Sequence, residues 1–584
     1  MCVGIAKAMS GPNPRSNKSF KRHLAVLQRG KRSRLRSIAF ESLEDRRLLA
    51  TVGNATYLGG PTDDYGQCVA TDNDGFAYVA GYTSGGIANA YNSFHGGGND
   101  GFVAKFGPDG KPVGKATYVG GTGSDVIRGI AVGTQNDFYV VGSTSSILGD
   151  DGGYGSTDAF VCRFDSNGNL LWTQQIGGSQ LDDGYGIAVD SQDGVYIVGQ
   201  TLSSDFAGQT GTLNDAFICR YSNLGTAPNW VEHFGGTGGE TAYSVTIDVD
   251  GNPIVVGQTT STDFPTPGGG TLDSLGGSDG FAVKFNAFYG TMLWTTQFGG
   301  SDGDIPYAVA HDGNGRLFVA GTTDSDDFEM AANSYVGGGD AFLSELQPND
   351  GTILSTTYYG GSNPSDYDVA YALAFDPANY PVIAGFTNSS APNLPSAANA
   401  PSHTGKIGFA AKFNATRASV LWSTYLPTSG TITDQGNGIA RGAGGNMDVV
   451  GVSGNLSTSR DAYFLQVNDD LDGDGLLDSW ETAGQGIDIN GDGTIDLDLH
   501  ALGAKPNHKD IFLEIDAQFS SPSNSSCAPA GGSLDLLTAA FASAPDSVNN
   551  FSGWDQMAGI TLHYLSGSGN SRIDENNVGE AQTW

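Results

Sequence analysis

The densest chemistry in this chain lies in the twelve residues Asp470 to Glu481. Asp470, Asp472 and Asp474 stand at positions 1, 3 and 5, Gly475 at 6, Leu476 at 7, Asp478 at 9 and Glu481 at 12. Alternating carboxylates, a sharp glycine turn, one backbone carbonyl and a final bidentate carboxylate wrap oxygens round a single point. A calcium ion wants that arrangement, because it takes roughly six to eight hard oxygen ligands. A solvated acidic linker would need no such order. A second run, with Asp488, Asn490, Asp492, Thr494 and Asp496, repeats positions 1 to 9. Leu499 stands where its closing glutamate should be, so that site is expected to be weaker or to borrow a ligand from its neighbour. From Asp469 to Asp498 there are ten acidic residues and no basic one.

Other residues with chemical potential have more ordinary readings. Asp100, Asp158, Asp215, Asp279, Asp340 and Asp461 each stand just before an Ala/Gly-aromatic pair. They could ring a channel, but an aspartate at such a place more often ties its own turn. Trp172, Trp294 and Trp422 recur at the end of one strand type, which favours packing over cofactor stacking. Cys162 and Cys219 share a slot that elsewhere holds Ala104, Val283, Ser344, Ala411 and Leu465, so both read as packed thiols. His95, His233, His311 and His403 fall at four unlike positions, and no nucleophile–base set can be assembled from them. His500, His508 and His563 make only a weak metal cluster. No catalytic residue is assigned, and the expectation is a non-enzyme.

These residues are set in a chain of 584 residues with 88 glycines, 28 Lys/Arg and 63 Asp/Glu. Residues 1–50 hold 12 basic and 3 acidic residues, whereas the remainder carries a net charge of −44. Such a body repels phosphate backbones and anionic lipid, which argues against nucleic-acid binding. No stretch approaches the roughly 18 apolar residues of a membrane span. The hydrophobic share of 38% excludes a disordered chain.

The scaffold is repetitive. A Gly-Gly pair ends a short β-type segment at Gly59, Gly120, Gly177, Gly235, Gly299 and Gly360, at spacings of 61, 57, 58, 64 and 61. A β-branched run leads into Gly81, Gly142, Gly199, Gly257, Gly321, Gly385 and Gly451. A third strand opens at Phe102, Phe160, Phe217, Phe281, Phe342, Phe409 and Tyr463. Period-two alternation between Asp/Asn/Gly turns predicts antiparallel strands. Four strands in about 60 residues, repeated radially, predict a propeller blade. The expected fold is all-β: a seven-bladed β-propeller of four-stranded antiparallel blades over 51–468. Its open ends, Asn54 to Leu58 and Ala462 to Val467, are expected to pair and close the ring. Calcium-binding loops follow over 469–500, then a small α/β segment over 501–584. There, strands at Lys509–Asp516 and Ile560–Leu565 flank a helix after Ser533, with Leu534, Leu537 and Phe541 on its apolar face.

Four resemblances add to this reading. The repeats, as in DDGYGIAVDSQDGVYIVGQTLSSDF from Asp182 to Phe206, resemble the seven-bladed β-propeller repeat of the SBBP type. The seventh copy departs from it, with Pro427-Thr428 in place of Gly-Gly. Residues Phe40 to Ala50, FESLEDRRLLA, resemble the LEPR-XLL type N-terminal motif of planctomycete exported proteins. That implies a basic export leader over 1–50 and an extracellular or cell-surface location. The acidic loops resemble the dockerin and thrombospondin type 3 class, which implies bound Ca²⁺. HKDIFLEID and GITLH resemble the beginning of a secreted zincin-like metallopeptidase domain, yet the His-Glu-x-x-His helix of that family is absent from this sequence. The expected function is therefore cell-surface adhesion or scaffolding by a monomeric, calcium-binding propeller with a protein or carbohydrate ligand. The alternatives are a truncated secreted metallopeptidase-like hydrolase or a calcium-dependent carbohydrate-binding propeller.

Overall fold

A computed structural model describes residues 51–468 apart from short loop segments (53–54, 88–89, 91–95, 149–154, 209–213, 336–337, 362–365, 389–404, 415, 417–419, 427–433 and 455–458). It also describes the strands Asp510–Ile515 and Thr561–Ser566. Residues 1–50, 469–509, 516–560 and 567–584 lie outside the described residues. The calcium-loop reading, the Ser533 helix and the leader all fall there.

Residues 50–469 form one compact unit, a seven-bladed propeller of antiparallel sheets. The second blade shows the pattern: Asp125–Val132, Phe138–Thr144, Asp158–Phe164 and Leu170–Ile176, hydrogen-bonded in sequence order. The first strand of every blade touches the first strands of both neighbours, so seven such strands enclose a central channel. Burial then follows position. The second and third strands of a blade are covered on both faces, and Phe138–Thr144 is buried at every residue. That explains why FYVVGST reads as a continuous apolar run without clean alternation. The outer strand Leu170–Ile176 starts exposed and becomes buried only at its end.

The sequence repeat and the blade are out of step by one strand. The segment ending in Gly-Gly pairs with the strands before it, so Pro112–Val119 is the outer strand of the first blade. The chain crosses to the next blade at the glycines. This offset leaves the seventh blade one strand short at its C-terminal end. Its strands Gln435–Arg441, Met447–Gly454 and Arg460–Asn468 receive Thr51–Val52 and Thr56–Leu58 from the N-terminal end. The register is Thr51↔Asn468, Val52↔Val467, Thr56↔Phe464, Tyr57↔Tyr463 and Leu58↔Ala462. Phe106 of the first blade stacks on Phe464 of the seventh at 4.2 Å, within a core that the two blades share. The ring therefore closes through the pairing expected from its two open ends. Pairing also removes two edges that would otherwise template aggregation.

Asp510–Ile515 and Thr561–Ser566 pair in parallel, Asp510 opposite Thr561. A parallel pair requires a crossover connection, and the helix read after Ser533 lies outside the described residues.

Deleting residues 51–60 should lower the melting temperature of the whole propeller and promote aggregation. Differential scanning calorimetry and light scattering would check this. An equally stable, monomeric deletion variant would show that the closing strand is dispensable.

Candidate functional site

Each blade hands over to the next at a glycine corner. The first strand beyond it opens on a buried carboxylate: Asp64, Asp125, Asp182, Glu240, Asp304 or Asp368. That carboxylate accepts the N–H of the second glycine, Gly60 to Asp64 at 2.8 Å, Gly178 to Asp182 at 2.7 Å and Gly300 to Asp304 at 2.8 Å. Hydroxyls from the end of the second strand complete the clasp. Thr201 and Ser203 donate to Asp182 at 2.5 and 2.9 Å, and Thr259 and Ser261 donate to Glu240. The first glycine leaves no room for a side chain. A Cβ on Gly59 would lie 2.6 Å from Asp64 Oδ2 and 2.9 Å from Asp461 Oδ1.

The third-strand aspartates meet these corners from the preceding blade. Asp461 meets Asp64 beside Gly59, Asp215 meets Glu240 beside Gly235 and Asp340 meets Asp368 beside Gly360, and Asp158 and Asp279 add to the negative surroundings of Asp182 and Asp304. Asp100 and Asp125 occupy the equivalent positions. These aspartates therefore sit at the seams between blades, and they do not ring the channel. Asp279 does tie its own turn, accepting from Ser274 at 2.9 Å and from the Leu275 N–H at 3.0 Å.

A second aspartate series organises the other end of the blades. Asp190 Oδ1 accepts the N–H groups of Gln192 at 2.8 Å and Gly194 at 2.7 Å. Its sisters Asp248 and Asp376 pair with third-strand cations, Lys284 at 2.5 Å and Lys412 at 2.7 Å, while in the second blade Gly133 takes that place and Asp137, across the turn, pairs with Arg163 at 2.6 Å. In the seventh blade Gln466 stands at the cation's position, and burial pushes Asp448 up to about 6. The tryptophans join neighbouring blades. Trp172 donates its indole N–H to the Asn223 carbonyl at 2.9 Å, Trp294 to Pro348 at 3.1 Å, and Trp230, which the sequence reading passed over, to Ala287 at 3.1 Å. They are the third residues of their strands, not the last.

Cys68, Cys162 and Cys219 are free. Burial pushes the Cys162 thiol up to about 12 and raises the other two, which makes all three poor nucleophiles at neutral pH. His233 packs edge-on against Phe206 at 5.2 Å, and burial lowers its pKa. His311 ends its strand with Nδ1 3.0 Å from the Asp312 carbonyl. Among the described residues no group of three His, Cys, Asp or Glu could hold a metal. His95, His403, His500, His508 and every proposed calcium ligand lie outside the described residues, whereas His563 falls on the strand Thr561–Ser566, opposite Phe512.

The channel is where side chains remain available. Every first strand carries a β-bulge at the same place, and the bulged residues are Gln67, Arg128, Tyr185, Tyr243, Tyr307, Tyr371 and Asn437. The glycine of the β-branched run explains why that approach is possible. A Cβ on Gly142 would lie 1.8 Å from the Val126 carbonyl oxygen, and one on Gly199 1.9 Å from that of Asp183. A bulge re-aims a side chain out of the regular alternation. Here it lines up four tyrosines across consecutive blades, with centroids 5.5, 5.2 and 5.1 Å apart. Arg128 lies 5.0 Å over the Tyr185 ring and pairs with Asp183 at 3.3 Å. All four tyrosines are half-buried. The hydroxyls of Tyr185, Tyr307 and Tyr371 make no hydrogen bond among the described residues. Burial pushes Tyr243 and Tyr371 up to about 12 and raises Tyr185 and Tyr307, so all four stay protonated donors at neutral pH. At the far end of the first strands a cavity of about 410 Å³ is lined by Val189, Ile247, Val249 and His311. The tyrosine arc had a sequence signal, a tyrosine three residues after the corner carboxylate in four successive repeats.

The family model described as "SBBP: Beta-propeller repeat" matches residues 54–88, 171–207 and 293–329. Each match runs from an outer strand through the glycine corner and on past the second strand, so it contains the clasp. Regulatory protein FlaEY of Caulobacter vibrioides is 28% identical over 231 residues, covering 35% of this chain and 24% of that protein. The chain thus spans about a quarter of that relative's length. Among solved structures, U3-55K is 9% identical with a TM-score of 0.41, over 71% of this chain and 98% of that one. The Pan2 WD40 domain of Neurospora crassa is 9% identical with a TM-score of 0.39, over 72% and 97%. The quinohemoprotein alcohol dehydrogenase of Comamonas testosteroni is 12% identical with a TM-score of 0.36, over 71% and 76%. At such identities and scores these likenesses carry no functional information.

Asp182→Ala should strand the Gly178 N–H and the Thr201 and Ser203 hydroxyls in a buried corner, at a cost of about 2–4 kcal/mol. Asp182→Asn keeps one acceptor oxygen and should cost less. Urea unfolding would report this as a lower midpoint at unchanged slope. Equal stability of Asp182→Ala and the parent would contradict the clasp.

Proposed function

We propose that this chain is an exported, non-enzymatic binding protein that acts in adhesion or scaffolding at the cell surface, with the tyrosine-lined channel as its ligand site. The observation that carries this reading is the arc from Tyr185 to Tyr371, in which the protonated hydroxyls of Tyr185, Tyr307 and Tyr371 are unspent among the described residues while the recurrent carboxylates, cysteines and tryptophans serve the fold. Half-buried tyrosines give contact area at low entropic cost together with a hydrogen-bonding edge. The opposite side of the channel adds the amides of Gln67 and Asn437. The nearest ion pair, Arg128 with Asp183, is internally neutral. Such a lining suits an uncharged, hydroxyl-rich ligand, and a neutral carbohydrate of the cell envelope is the class it fits best. Export is supported by the FESLEDRRLLA motif and by the acidic body.

The loop Asp470–Glu481 is proposed to bind one Ca²⁺, with Asp488–Asp496 as a weaker second site. The positional order of ligands supports this, and calcium dependence of adhesion would follow from it. The hydrolase alternative rests on the KDIFLEID and GITLH strands alone. It lacks the paired histidines and glutamate that would activate a zinc-bound water.

Binding of neutral oligosaccharides, screened on a glycan array and quantified by calorimetry, should fall about tenfold or more when Tyr243 and Tyr307 are both replaced by alanine. Unchanged binding in that variant, or no binding to any neutral glycan, would refute the channel assignment. Calcium titration should show one site in the ~10⁻⁴–10⁻³ M range or tighter, lost in Glu481→Ala. Zinc-dependent cleavage of casein by residues 51–584 would overturn the non-enzymatic reading.

A further inference from the structure

The aromatic row of the channel does not end at Tyr371. The Phe386 ring continues it, with its centroid 5.7 Å from that of Tyr371 and 6.2 Å from that of Tyr367. A cation closes the row at each end. Arg128 lies 5.0 Å over Tyr185, and the Lys406 ammonium lies 3.8 Å over Phe386. The two cations differ in what else they touch. Arg128 donates to the Ser143 hydroxyl and pairs with Asp183 at 3.3 Å. Lys406 is exposed, and among the described residues its ammonium has the Phe386 ring but no carboxylate and no hydrogen-bond acceptor.

The sequence of the sixth blade explains this freedom. Lys406 stands just ahead of the strand Ile407–Phe413, where the other blades carry Asn99, Thr157, Asn214, Ser278, Gly339 and Arg460. Arg460, the other cation of the series, is tied to the Tyr65 hydroxyl and lies 5.5 Å over that ring. The sister strands open on an aspartate, whereas this one opens on Ile407, so the lysine has no carboxylate next to it in the chain. Burial lowers the pKa of Lys406, and no neighbouring charge acts to raise it.

This end of the row therefore has hydrogens to donate and little to accept them. An ammonium carries three donors and no acceptor. Phe386 offers neither, and the Tyr367 hydroxyl is hydrogen-bonded with Thr322. The group that fits combines a strong, neutral acceptor with a small apolar surface. Its oxygen would meet the ammonium, and its apolar part would lie against the half-buried rings of Tyr367 and Tyr371. An acetamido group has this form, a carbonyl oxygen beside a methyl. A hydroxyl supplies the oxygen without the methyl. A carboxylate could pair with Lys406, but it must approach against the field of a body of net charge −44. An amine would be repelled by the lysine itself.

We propose that Lys406 is a specificity-determining residue of the channel, selecting glycans that carry N-acetyl groups by seating an acetamido carbonyl on its ammonium. This rests on the channel's being a carbohydrate site, and it adds which carbohydrates the site prefers.

Calorimetry on the full chain tests it with chitotetraose and cellotetraose, which share a backbone and differ in their acetamido groups. Chitotetraose should bind about tenfold more tightly, as a hydrogen bond from a charged donor implies. Lys406→Met keeps an unbranched stem over Phe386 and removes the donors. It should bring chitotetraose down to the level of cellotetraose and leave cellotetraose binding unchanged. Lys406→Arg restores a donor-only cation and should keep most of the preference. A preference undiminished in Lys406→Met, an equal fall for both sugars, or tighter binding of an oligouronate than of chitotetraose would overturn the assignment. The channel reading fails in a different way. It falls if the variant with Tyr243→Ala and Tyr307→Ala binds both sugars as the parent does. If the parent binds neither sugar, the assignment to Lys406 falls with it.

Discussion

One hydrogen bond sets the geometry of this protein: the second glycine of each corner donates its N–H to the carboxylate that opens the next blade, as Gly178 does to Asp182 at 2.7 Å. It fixes where the chain leaves an outer strand and how the next inner strand begins. Everything inward of it follows. The carboxylate gathers the threonine and serine of the second strand, which places that strand against the first. The first glycine must be small because two carboxylates fill the space beside it. An N–H bonded to a buried, charge-bearing acceptor is worth more than an exchange with water. Repeated at six corners, the clasp gives six blades the same start.

The closed ring then divides the residues by depth. Middle strands spend their side chains on neighbouring blades, and buried aromatics such as Phe102, Phe160 and Phe217 belong to cores shared between two sheets. Outer strands contribute indoles that reach the next blade's turn. The inner strands keep a face toward the channel, and their bulges present it with tyrosines in four blades and with arginine or amides in three. The channel lining is therefore asymmetric, although the blades that form it repeat.

Burying so many acids in an already acidic body is costly unless each is satisfied. The two aspartate series solve this differently. At the turn end, lysine and arginine of the third strand neutralise the carboxylates. At the corner end backbone and hydroxyl donors do the work. The seventh blade is irregular at both ends. It lacks the glycine pair, carries Gln466 in the cation's position, and closes with strands from the other end of the unit.

Local patterns carried much of this in the sequence. The glycine pairs, the β-branched runs into Gly81 to Gly451 and the aromatic strands are each decided by neighbours within a few residues, so seven units and their strand order could be read directly. The ring closure was legible for a related reason: two strands lacked a partner, and unpaired edges must be paired or covered. The calcium-loop reading of Asp470 to Glu481 has the same local character, since all its ligands fall within one turn of chain. The tertiary structure alone decided which residues meet across blades. Asp340 and Asp368 lie on different sheets, and nothing in their spacing says that both carboxyl groups close on Gly360. Tyr185, Tyr243, Tyr307 and Tyr371 are about 60 residues apart, and a one-residue bulge determines which way each points. Strand type is a property of a short segment, whereas register, bulge and seam are properties of pairs of segments. Only the closed fold brings those pairs together.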